Sequence, residues 1–95
     1  MPIDSATWYC GSGTQWTVEP DGIVLWNVER RMRLPLYYPQ AAVWDFFSRG
    51  DSYERVIRKV AAIAWLDSGA AERLVRESLS QWTEAGFLVS EVGHG

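Results

Sequence analysis

Tyr38-Pro39-Gln40-Ala41-Ala42-Val43-Trp44-Asp45-Phe46-Phe47 is the stretch from which the rest of the chain can be read. Proline suits the first turn of a helix, where its missing N–H costs nothing and its φ is already helical. Ala41, Ala42, Val43, Trp44, Phe46 and Phe47 then form an almost wholly apolar helix that stops at Arg49-Gly50 and belongs in a core. Just before it, Met32, Leu34 and Leu36 alternate with Arg33, Pro35 and Tyr37. A period of two marks a strand with one buried and one wetter face. The decapeptide is therefore a corner at which a strand turns into a helix.

Toward the N-terminus, residues 16–19 and Gly22–Asn27 are rich in β-branched and aromatic side chains and read as two more strands. They are joined by Glu19-Pro20-Asp21-Gly22, whose proline and glycine suit the second and fourth positions of a type I turn. Toward the C-terminus, Asp51 followed by Glu54 resembles a capping box opening a second helix over 51–64. Its apolar positions Tyr53, Val56, Ile57, Val60, Ala61 and Ala64 fall at helical spacing, with Arg55, Arg58 and Lys59 on the other side. Asp67-Ser68-Gly69 supplies a turn and cap candidates for a third helix over 70–85, stopped by Gly86. That helix carries a stripe of Ala71, Leu74, Val75, Ser78, Leu79, Trp82 and Ala85. The fold expected is α+β and winged helix-turn-helix-like: a three-stranded antiparallel sheet followed by three helices (β-β-β-α-α-α). Residues 16–92 make the domain, 1–15 are either an extra strand or a mobile extension, and 93–95 are a tail.

Composition bounds the chemistry. Ninety-five residues with 47% hydrophobic content bury about 60–68% of the unfolded surface, enough for one core. The apolar stretch 60–66 is far too short to cross a bilayer, and Met1-Pro2-Ile3-Asp4 lacks the parts of a secretion signal. A cytoplasmic protein is expected, with no membrane partner. One cysteine, Cys10, and one histidine, His94, supply neither zinc-ligand spacing nor a nucleophile with a nearby base. No metal, no cofactor and no catalysis are expected. Gly11-Ser12-Gly13 lacks the lysine of a phosphate loop and reads as a turn.

Pro35 places its strand at an edge, because proline cannot donate a ladder hydrogen bond. Leu34 and Leu36 can bond inward while Pro35 faces out. A free edge of this kind either is guarded against aggregation by the proline or accepts an extended peptide by β-augmentation, and the residues alone leave both open.

The strand-to-helix segment from Pro39 to Trp44 resembles that of the PqqD-like family. So do Phe46, Phe47 and Gly50 at the end of the first helix, the polar start and apolar body over 51–64, and Leu79-x-x-Trp82-x-x-x-Gly86-Phe87-Leu88. These small recognition domains hold the leader segment of a ribosomally made precursor peptide for a modifying enzyme. The resemblance implies leader binding as an added strand along Arg33, Leu34, Pro35, Leu36 and Tyr37, with Arg31 beside it. It also implies contacts to Leu74, Glu77, Ser78 and Gln81 on the third helix. Its implied partners are the precursor peptide and the maturation enzyme, in a monomer or homodimer. Two positions depart from the family: Tyr38 stands where an Asn cap is frequent, and Ser78 where a large apolar residue is usual. The small Ser78 leaves space beside Trp82 that is either a pocket or is refilled by a neighbour, and close packing favours refilling.

A winged-helix DNA-binding regulator is the rival reading. Its recognition helix would carry Glu72, Glu77 and Glu84 against Arg73 and Arg76, in a chain of net charge −3, which phosphates repel, so no nucleic-acid partner is expected. Arg30, Arg31 and Arg33 instead gather around the third strand and favour an acidic peptide. A structural or oligomerisation module, with some of the six tryptophans as surface anchors, is a third reading.

Overall fold

In the computed structural model, which describes residues 8–90, a two-residue connection at Pro20-Asp21 folds strand β2 (Thr14–Glu19) back on β3 (Gly22–Asn27). A longer loop returns the chain as β4 (Met32–Tyr37), giving an antiparallel sheet in the order β2-β3-β4. Three helices follow, α1 (Gln40–Ser48), α2 (Tyr53–Ala64) and α3 (Ser68–Ala85), so the β-β-β-α-α-α architecture read from the sequence is present. The sequence reading lacked one component, a ribbon in which β1 (Trp8–Cys10) pairs antiparallel with β5 (Leu88–Ser90). The extension before β2 thus does contribute a strand, though not to the main sheet. Residues 1–7 and the tail with His94 lie outside the described residues.

The ladder's alternation follows from one bond. Val28 donates its N–H to the Gly13 carbonyl at 3.1 Å, continuing the β2–β3 register. In antiparallel pairing, inward- and outward-bonding residues alternate. Gln15, Thr17 and Glu19 therefore bond toward β3, and Thr14, Trp16 and Val18 point their backbone groups away. Carried through the pairs Ile23–Leu36, Val24–Pro35 and Leu25–Leu34, the same rule makes Leu34 and Leu36 bond inward and Arg33, Pro35 and Tyr37 outward. At the hairpin, a Cβ on Gly22 would stand 1.9 Å from the Leu36 carbonyl oxygen, so only glycine lets β4 approach so closely.

One face of the sheet meets the helices. Leu25 and Leu36 pack there with Val43, Trp44, Val56, Val60, Val75, Leu79, Trp82 and Phe87 in one fully buried cluster. Trp16, Trp44 and Trp82 stack edge to face, with centroids 5.4 and 5.2 Å apart, the geometry that aromatic quadrupoles favour.

The helix ends explain where the elements stop. Gly86, at φ 90°, lets the Phe87 N–H return to the Trp82 carbonyl at 2.9 Å and its own N–H to Thr83 at 3.1 Å, a Schellman ending. Asp67 caps α3 through the Ala70 N–H at 2.8 Å. The capping role expected of Asp51 belongs instead to Ser52, whose hydroxyl accepts the Arg55 N–H at 3.2 Å. Asp51 is drawn away by two cations, Lys59 at 2.7 Å and Arg55 at 3.7 Å.

Buried Asn27 ties the ribbon to the sheet. Its Nδ2 donates to the Ser12 and Gly86 carbonyls at 3.3 and 3.4 Å, and its Oδ1 accepts the Arg30 N–H at 2.9 Å. Such a satisfied polar group fixes one arrangement of the chain segments it joins.

Candidate functional site

β4 is an edge strand, so the outward groups of Arg33, Pro35 and Tyr37 have no strand beyond them among the described residues. Arg33 and Tyr37 present both a donor and an acceptor, and Pro35 presents only its carbonyl. α1 packs against both β4 and α3 and so links this strand to the third helix. The corner between β4 and α1 is pinned from the other side, where the Tyr38 hydroxyl donates to the Ile63 carbonyl at the end of α2. No side chain caps α1; the Pro39 carbonyl accepts the Ala42 and Val43 N–H groups instead, as expected where Tyr38 replaces a capping asparagine.

The side chains divide by face. Leu34 and Leu36 point to the core side, Leu34 half-buried and Leu36 only 1% exposed. Leu36 therefore holds the strand in place, and its side chain is closed to a ligand. Arg33, Pro35 and Tyr37 share the opposite face, where the Arg33 guanidinium lies 5.3 Å above the Trp26 ring. The basic trio does not form one continuous edge. Arg30 turns to the C-terminal end of α3, donating to the Ala85 carbonyl at 3.4 Å, and Arg31 is exposed in the connecting loop at φ 54°.

On α3, Glu77 and Gln81 are exposed, Leu74 is half-buried against the core, and Ser78 is 1% exposed. Beside Ser78 stands Gln40, the first residue of α1. Its Nε2 donates to the Ser78 hydroxyl at 3.4 Å and to Gln81 Oε1 at 3.1 Å. Gln40 thus joins the candidate site, and the sequence reading missed it. Its partners lie 38 and 41 positions away, and no local pattern marks such a contact.

Burial pushes the Cys10 thiol up from its ordinary value, although part of its surface remains open, and a raised pKa lowers the thiolate fraction that attacks or binds metal. Among the described residues no three His, Cys, Asp or Glu side chains converge as metal ligands, and no helix is long and apolar enough to cross a membrane.

No protein-family profile matches the chain, and no curated protein sequence does. Among solved structures, the fold is similar to that of TbiB1, determined in complex with the TbiA(beta) leader peptide. The TM-score is 0.79 at 17% sequence identity, over 90% of this chain and 98% of that one.

Proposed function

We propose that this chain is a non-catalytic recognition domain that holds the leader segment of a ribosomally synthesised precursor peptide, in the manner of the PqqD-like proteins it resembles. The observation that carries the reading is the fold shared over nearly its whole length with a protein solved on a leader peptide. The open edge of β4 beside α3 supplies the means. A leader strand added there bonds to the outward groups of Arg33 and Tyr37 and to the Pro35 carbonyl. Its alternate side chains reach toward Leu34, Leu74, Glu77 and Gln81. Backbone bonding gives generic affinity, and the helix side chains give selection. Ordering a flexible leader limits affinity to the micromolar or submicromolar range, about −8 to −9 kcal/mol. Tethering the precursor beside its modifying enzyme then raises the rate through effective concentration.

Calorimetric titration with the leader peptide encoded beside this chain tests the reading. Leu74→Asp and a Glu77→Lys/Gln81→Ala pair are the informative variants, because Leu36→Asp strikes the core and confounds binding with folding. Binding by the wild type that weakens at least tenfold in both folded variants is expected. Unchanged binding in both moves the ligand off this edge, and no binding to any neighbouring leader removes the function.

A further inference from the structure

β4 carries a proline, but the opposite edge strand carries none. Every residue of β2 from Gln15 to Glu19 is exposed, and its core-side face shows Trp16 at 38% and Val18 at 74%. Natural sheets protect such edges with proline, lysine or a bulge. Residues 14–19 contain none of these: the strand reads Thr-Gln-Trp-Thr-Val-Glu, paired with β3 in unbroken register. Its outward N–H groups at Trp16 and Val18 lack a strand partner, while that of Thr14 is already bonded to the Gly11 carbonyl at 3.0 Å.

We infer that β2 is a self-association surface and that its occupant is β2 of a second copy of this chain, paired antiparallel about a two-fold axis perpendicular to the sheet. The argument is one of self-complementarity. Such an axis keeps each face of the sheet on its own side, and outward-bonding residues must meet one another. Two registers centred on the strand satisfy these conditions. Centring on Trp16 sets Val18 against Thr14, whose N–H is occupied. Centring on Thr17 sets Trp16 against the second copy's Val18, so each symmetry-related pair exchanges both ladder bonds using only free groups. That register also covers the two exposed apolar side chains with each other, the kind of cross-strand pair that stabilises sheets. Charge agrees: Glu19, the lone charged residue of β2, falls opposite Gln15, so no carboxylates are opposed. At the β4 edge, by contrast, symmetric pairing sets arginine against arginine or meets the missing N–H of Pro35.

A six-residue strand pair falls below the ~1,200 Å² of the smallest stable interfaces, which makes the dimer concentration-dependent, with a dissociation constant on the order of 10–100 μM. The resulting six-stranded sheet leaves both β4 edges at its outer ends. The inference does not rest on the leader reading.

Sedimentation equilibrium of the full chain from about 5 to 500 μM tests it. The weight-average mass should rise from 10.8 kDa toward twice that value. Val18→Lys, which alters a largely exposed side chain, and Val18→Pro, which removes an outward donor, should each weaken association at least tenfold with circular dichroism unchanged. Thr17→Cys in a Cys10→Ser background should form a disulfide-linked dimer on mild oxidation, because Thr17 faces itself across the axis at the close spacing of a non-hydrogen-bonded pair. A constant monomer mass, association that survives both Val18 variants, or association without the Thr17→Cys cross-link would each overturn the proposal.

Discussion

Trp65 ends α2 in the left-handed region at φ 57° with its indole 94% exposed, so a bulky residue occupies the backbone site that glycine fills at little cost. Left-handed geometry costs an L-residue about 1–2 kcal/mol, and glycine returns part of that through its freer unfolded chain. Trp65→Gly is therefore expected to stabilise the fold by about 0.5–1 kcal/mol, read as a higher urea midpoint at unchanged slope. Asp51 behaves differently, because its gain is electrostatic. The hydrogen bond from Lys59, then the charges of Lys59 and Arg55, hold its carboxyl below the ordinary value of 3.8. A carboxylate with a lower folded than unfolded pKa stabilises the fold above the unfolded value, and that contribution disappears as pH falls through the folded one. Melting temperatures of wild type and Asp51→Asn should differ at pH 6 and converge as the pH drops below about 3.8. A difference that persists undiminished at pH 2 would assign the effect to packing.

Among the elements, β4 offers the sharpest test, since Pro35 removes one donor from the edge proposed for the leader. Pro35→Val restores an outward N–H without touching the inward bonds of Leu34 and Leu36. One added backbone bond is worth about 0.5–1.5 kcal/mol, so leader affinity should rise about two- to tenfold by calorimetry. Unchanged affinity would mean that the peptide does not pair across Pro35. The outward placement of this residue was legible in the sequence because a missing N–H and a period of two admit one arrangement at an edge. The three helices were legible for a similar reason, since their apolar spacing, with glycine stops after α1 and α3, is a local signal. The β1–β5 ribbon was not: its strands have three residues each, too few for a period, and their pairing joins Cys10 to Leu88 across almost the whole chain. The site divided along the same line. The edge was readable from one strand, whereas the Gln40 bridge to Ser78 and Gln81 depends on α1 meeting α3, and the closure of Leu36 on the depth of the assembled core.

For the whole molecule, the order β2-β3-β4 sets the two free edges on opposite sides of β3 with different chemistry. One has a proline, flanking arginines and a helix beside it; the other has an uninterrupted, self-complementary run. A ligand at one edge shifts an equilibrium at the other only if it binds the two states differently. A leader added to β4 touches no group of β2, and β3 bonds to its two neighbours through alternate residues. Saturating leader is therefore expected to leave the dimer dissociation constant unchanged within about twofold, with one peptide bound per chain. Sedimentation equilibrium with and without peptide, together with calorimetric stoichiometry, measures both quantities. A dimer built through β4 predicts the reverse: leader would compete for the same outward groups, dissolve the dimer, and bind more weakly as protein concentration rose. The sign of that coupling separates the two edges without any substitution, so it holds even if a variant fails to fold.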